Sequence, residues 1–149
     1  MHFRIQIITV ADDGTEQHEE IADVVRSEPT LETVGLTLEE SKHVLQQLQQ
    51  TIVDQQIAAY LDQQHACPRC GNHRQLKQRG TAPFRTLFGM VSVPNPRWEQ
   101  CDCQLHGAKT FRPLAALLPE RTSPELLYLE TKWAALAAYG VTSKLGTRK

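Results

Sequence analysis

The sequence predicts an α+β fold with four parts in chain order: an N-terminal β-hairpin, a long amphipathic helix, a β-ribbon and a C-terminal helix. Three observations carry that reading. Phe3, Ile5 and Ile7 alternate with Arg4 and Gln6, the period of two of a half-buried strand. Residues 37–64 contain neither Gly nor Pro, as a long helix requires. Four cysteines fall as two pairs that bracket a strand-rich segment.

The chain has 149 residues and a mass of 16.8 kDa, enough for one domain or two small ones. With 40% hydrophobic and 22% charged residues and a mean hydropathy of -0.40, it has the composition of an ordinary globular protein. The apolar stretch from Trp133 to Val141 is far shorter than the roughly 20 residues that span a bilayer. No apolar leader separates Met1 from Asp12 and Asp13, so the expected compartment is the cytoplasm, without a membrane partner. Disulfides are not expected there.

The first strand ends at Asp13-Gly14, a pair suited to a tight turn with positive φ. Turn chemistry, rather than a catalytic carboxylate pair, accounts for Asp12 and Asp13. Residues 16–26, with Ile21, Val24 and Val25, return as a second strand, although the Glu-rich start also fits a helix. Thr37 and Glu40 form a capping box, and the helix they begin runs to residue 64, some 40 Å at about 1.5 Å per residue. Leu38, Leu45, Leu48, Ile52 and Ala59 fall on heptad a and d positions, which offers a homodimer through this helix. Ser41 and Gln55 interrupt that seam, and Val53, Ile57 and Leu61 widen the apolar face as packing on the strands would. Ser123 as N-cap, Pro124 at the first position and Glu125 in the first turn start a second helix, which Gly140 ends. Leu126, Leu127, Leu129, Trp133 and Leu136 make it apolar enough to need a cover.

Charge is distributed unevenly. Residues 1–66 hold 3 Lys/Arg and 12 Asp/Glu, whereas residues 67–121 hold 9 Lys/Arg and 3 Asp/Glu. The middle segment is therefore suited to an anionic partner, unless the two halves simply attract each other.

Cys67-Pro-Arg-Cys70-Gly71 has the form of a zinc knuckle, two thiolates on a tight turn that glycine completes. Some thirty residues later come Cys101 and Cys103, at i and i+2, which reach one side of a strand. His106 and Gly107 follow, and Cys103 with His106 repeats the spacing of the first knuckle. The expected ligands are Cys67, Cys70, Cys101 and Cys103, with His106 in place of one cysteine as the alternative. Either set closes a tetrahedral site with no open position, so the zinc would be structural. His65 and His73 have no ligand spacing and read as surface residues.

Between the knuckles, residues 75–80, 82–88 and 90–93 form ribbon strands, making this part a zinc β-ribbon. Phe84 beside Arg85, and Arg97 beside Trp98, set cations next to flat rings, and Lys77, Arg79, Arg85 and Arg97 are the expected contacts to DNA phosphates. The layout is then 1–66 hairpin plus helix, 67–112 zinc ribbon, 113–140 linker and C-terminal helix, and 141–149 a ragged tail. A zinc-scaffolded module for protein interaction or dimerisation is the rival reading. An iron-carrying, rubredoxin-like site would need a second Cys-Pro-x-Cys-Gly turn, which is missing. No serine-hydrolase, phosphate-loop or dinucleotide motif is present.

Taken in order, several motifs resemble the ISKra-type insertion-sequence transposases of bacteria. They are His2-Phe3-Arg4-Ile5-Gln6-Ile7, Leu36-Thr37-Leu38-Glu39-Glu40, the Cys67–Gly71 knuckle, Phe84–Gly89, Cys101-x-Cys103, and Leu114–Arg121 leading into Pro124–Glu130. The resemblance implies a metal-binding N-terminal region that contacts transposon-end DNA. The DDE-type catalytic domain of that family would lie beyond it, and residues 142–149 depart from the family pattern as a truncation would. No catalytic residue carries over, and only the four cysteines transfer as metal ligands.

Overall fold

The computed structural model describes residues 1–104, 107 and 109–136. The chain forms two compact units, Met1–Val53 and Asp54–Lys149, with the boundary inside one continuous helix. Among the described residues, no helix is long and apolar enough to cross a membrane. The Gly140 helix end and the 141–149 tail lie outside the described residues.

In the first unit, β1 (His2–Val10) pairs antiparallel with β2 (Glu16–Val25). The connecting turn is built as its sequence demands. Gly14 takes a φ of 81°, its N–H reaches Ala11 O at 2.9 Å, and the Asp13 carboxylate accepts the Thr15 N–H at 2.9 Å. The Glu-rich start of β2 is strand because β1 pairs with it along its whole length, and Arg4 reaches Glu20 across the pair at 3.0 Å. A bulge interrupts the register: Ile5 faces Ala22 and Gln6 faces Glu20, so Ile21 has no cross-strand partner. That extra residue explains how Ile21 and Val24, three positions apart, are both buried.

α1 (Leu38–His65) opens with the capping box: Glu40 N–H donates to Thr37 Oγ1 at 3.2 Å, and Thr37 N–H donates to Glu40 Oε2 at 2.8 Å. Along α1, Thr51, Val53 and Ile57 are buried while Leu38, Leu45 and Ile52, on the heptad line, are exposed.

In the second unit, β3 (Leu76–Gln78), β6 (Arg97–Glu99) and β7 (Thr110–Phe111) form an antiparallel sheet in the order β3-β6-β7. β4 (Thr81–Thr86) and β5 (Gly89–Pro94) form a separate antiparallel hairpin. The segment between the cysteine pairs is thus two small sheets rather than the one continuous run of hairpin strands read from the sequence. Phe88, expected to extend a strand, sits in the two-residue turn, which Thr86 closes by accepting from Phe88 N–H and donating to Gly89 O. Alternation on the hairpin buries Ala82, Thr86, Val91 and Val93.

After β7 come α2 (Leu114–Leu117) and α3 (Pro124–Leu136). Ser123 caps α3 as expected, its Oγ accepting the Leu126 N–H at 3.3 Å. Thr122 bridges Arg85 in parallel, and Arg85 pairs with Glu130 on α3. The cover expected for α3 is partial, since Tyr128, Trp133 and Leu136 remain exposed.

Candidate metal centre

Cys67 lies two residues past the end of α1, where the chain turns back sharply. Gly71 has a φ of 73° and donates to Cys67 O at 2.9 Å, while Cys67 N–H donates to Asn72 O at 2.9 Å. Ala66 bridges His73, and Arg74 N–H donates to His65 O at 2.9 Å, so the knuckle is clamped at its base. The second pair follows β6. Cys103 sits in a 3-10 turn, Asp102–Gln104, closed by Gln104 N–H donating to Cys101 O at 2.8 Å. Tight helical winding, not the strand alternation expected, brings Cys101 and Cys103 to one side. Two links join the halves: β3 pairs with β6, and Arg69 Nη1 donates to Cys103 O at 2.6 Å.

The result is a compact cluster. The Sγ atoms of Cys67, Cys70, Cys101 and Cys103 all lie within 4.8 Å of one another. Cys70 to Cys101 is 3.3 Å, and Cys67 and Cys70 are each 3.5 Å from Cys103. These are not disulfides, whose sulfurs would stand about 2.05 Å apart, and all four cysteines are free. Four thiolates about 2.3 Å from a tetrahedral ion would be separated by ~3.8 Å, so small movements fit the cluster to a metal. His106, the alternative ligand, lies outside the described residues.

The four thiols are not equivalent. The Arg69 backbone N–H chiefly, aided by that of Cys70 and opposed by burial, holds Cys67 down at about 6. Burial, reinforced by the neighbouring thiols, pushes Cys103 up to about 12. Cys67, 2% exposed, therefore offers a ready thiolate at neutral pH, and a metal ion held by the cluster would favour loss of the Cys103 proton.

The cations expected to meet phosphate occupy varied settings. Lys77 pairs with Glu99 at 3.1 Å, Arg85 pairs with Glu130, and Arg97 Nε donates to Thr110 Oγ1 at 2.8 Å. Arg79 is exposed. The flat surface expected of Trp98 is not available. Its side chain is 6% exposed, with ring centroids 5.6 Å from His65 and 6.0 Å from Phe111, because it forms the core beneath the knuckle. His65 is likewise half-buried, correcting its reading as a surface residue, and its Nδ1 lies 3.1 Å from that of His73. The sequence reading also missed Arg74, which is buried with its guanidinium 4.6 Å from the Phe111 ring centroid and bonded to Gln64 O. Its position four residues past Cys70 carried no signal of that role.

Comparison with protein-family models, curated proteins and solved structures returned no match to this chain.

Proposed function

We propose that this chain is the DNA-binding N-terminal region of a bacterial ISKra-type insertion-sequence transposase, acting in the cytoplasm on transposon-end DNA. The four cysteines hold a structural zinc, making the surrounding strands a zinc ribbon. The observation that supports this reading is the convergence of four free thiols inside the basic segment of the chain. Four protein thiolates fill a tetrahedral site and leave no place for substrate or water, so the metal organises the backbone rather than performing chemistry. Four thiolates and one Zn²⁺ contribute -2, and residues 67–121, with 9 Lys/Arg and 3 Asp/Glu, remain cationic. Beyond Cys67 the acidic residues are Glu99, Asp102, Glu120, Glu125 and Glu130, none of them in the four-cysteine cluster.

Elemental analysis of the purified chain tests the metal, and a salt titration of a fluorescent duplex tests the partner. One zinc per chain with salt-dependent duplex binding is the expected result. A chain without zinc, or with zinc and no affinity for duplex at low salt, overturns the corresponding half.

The exposure of Leu38, Leu45 and Ile52 favours a second reading, a zinc-scaffolded module that dimerises through α1. Sedimentation separates the two, since that module forms a dimer and ignores DNA.

A further inference from the structure

The second unit contains a small pocket away from the cysteines. Its lining includes Ala82, Val93, Asn95, Arg112, Leu118 and Arg121, and among the described residues no carboxylate lines it. We propose that this pocket is a phosphate-binding subsite in which Arg112 and Arg121 grip one phosphate group and the Asn95 amide meets one of its oxygens. Where that phosphate belongs to DNA, the proposal rests on the DNA-binding reading above.

Four observations converge. First, Arg112 is held in place: its Nη1 donates to Asn95 O at 2.9 Å. It also lies beside Gly80, where an added Cβ would meet Asn95 O at 3.3 Å and Arg112 Nη1 at 3.7 Å. Glycine at 80 therefore permits the close approach that orients this guanidinium. Second, Arg121 has a φ of 49°, the one non-glycine residue with positive φ among the described residues. Left-handed backbone costs an arginine free energy. It is pinned there by its N–H donating to Leu118 O and its carbonyl accepting the Arg85 N–H, and so held it lines the pocket. Third, Asn95 is 6% exposed, yet its Oδ1 is buried without a partner. A buried polar atom left unpaired needs a reason, and the same amide turned over offers an NH₂ donor to an oxyanion. Fourth, among the described residues neither Arg112 nor Arg121 pairs with a carboxylate, unlike Lys77 and Arg85.

Size narrows the ligand. The pocket has a volume of about 30 Å³, above the roughly 10–15 Å³ needed by a single oxygen-sized probe. One phosphate oxygen enters, and the rest of the group stays at the mouth, where the guanidiniums meet it. A backbone phosphodiester and a free phosphate share this chemistry.

The test uses the full chain with two probes, inorganic phosphate and a 20-base-pair duplex, and chloride at matched ionic strength as control. Nuclear magnetic resonance follows the Asn95 side-chain NH₂ and the Arg112 Nε–H. Phosphate, but not chloride, is expected to shift both signals, and Arg121→Gln to weaken that response about tenfold. For duplex, Arg112→Gln and Arg121→Gln together are expected to lower affinity about tenfold and the salt slope by about 0.9, one phosphate contact. Because Arg112→Gln also removes a structural bond to Asn95 O, the Trp98 near-ultraviolet signal reports folding, and Arg121→Gln alone decides if the double variant unfolds.

Signals unmoved by either probe overturn the subsite. Duplex binding with unchanged affinity and slope in Arg121→Gln overturns the subsite and leaves the DNA reading intact. Phosphate shifts without duplex binding support the subsite and refute the DNA reading.

Discussion

Arg26 and Glu40 join the hairpin to the helix: Arg26 Nη2 donates to Glu40 Oε2 at 2.6 Å, and that same oxygen accepts the Thr37 N–H of the capping box at 2.8 Å. The rest of the guanidinium gathers the intervening loop, with Nε on Thr33 O and Nη2 also on Gly35 O, both at 2.9 Å. The Arg26 backbone carbonyl accepts the Met1 ammonium at 2.6 Å. One ion pair thus closes the strand end, the loop and the helix start.

Acid should loosen this junction before it affects the rest of the first unit. The Arg26 hydrogen bond chiefly, with the Thr37 N–H, holds Glu40 at about 2, below its ordinary 4.5. A depressed carboxylate pKa contributes stability that is complete above the unfolded value and is lost as pH falls through the folded one. The protection factor of the Thr37 amide, whose N–H donates to Glu40, is therefore expected to fall between about pH 4.5 and 2, and Glu40→Gln to abolish that dependence. An unchanged protection factor across this window would remove Glu40 as its cause. Thr37→Ala, which deletes the reciprocal cap, is expected to cost about 1 kcal/mol in denaturant unfolding.

The metal is expected to decide whether the second unit folds at all. Its sheet strands β3, β6 and β7 have three, three and two residues, too few to hold the knuckle alone, and structural zinc supplies roughly 10–16 kcal/mol in small metallo-domains. Chelation, or Cys70→Ser, should collapse the Trp98 environment and leave the β1–β2 hairpin unchanged. A Trp98 signal that survives metal removal would show that packing alone suffices.

Local chemistry was legible in the sequence where a few adjacent residues determine it. Asp13-Gly14, Thr37 with Glu40, and Ser123-Pro124 are each read correctly, because a turn or cap is settled within four residues. The cysteine pairs are legible for the same reason, since ligand spacing is a local constraint. What spacing cannot give is the partner from elsewhere in the chain. Arg85 pairs with Glu130, 45 positions away, and Arg69 bonds Cys103 O, 34 positions away. Nothing in a period of two distinguishes Trp98 beneath the knuckle from an exposed ring. The bulge at Ile21 is invisible too, because it changes register without a Gly or Pro to mark it.

Trp98 is expected to be the most costly single truncation in the second unit. It is 6% exposed and stands between His65 and Phe111, with Arg74 stacked on the far ring. Trp98→Ala removes a buried aromatic and its contacts, at about 3–5 kcal/mol, measured by denaturant titration of metal-loaded chain. Trp98→Phe keeps most of the apolar fill and should cost clearly less. Equal losses for the two would mean that apolar fill at this position matters little and the indole ring itself matters most.

The exposed cations should contribute unequally to DNA affinity, and the order follows from their present partners. A cation bound to a carboxylate must give up that partner, or share it, before it neutralises a phosphate. Lys77 and Arg85 face that cost through Glu99 and Glu130, whereas Arg97 gives up only a neutral hydroxyl and Arg79 is exposed. Four phosphate contacts would give a slope of log K against log salt near roughly -3.6, and fewer engaged cations a shallower one. We therefore expect these four cations to supply a slope between about -1.8 and -3.6, to which the Arg112–Arg121 subsite adds about -0.9, in duplex titrations of the full chain from low to physiological salt. Arg79→Gln and Arg97→Gln should each flatten it by about 0.9, and Lys77→Gln and Arg85→Gln by less. Glu130→Gln supplies the reverse test, because freeing Arg85 should steepen the slope and tighten binding. If Arg85→Gln flattens the slope as much as Arg79→Gln does, the ion pair to α3 imposes no cost, and the ranking by internal partners is wrong.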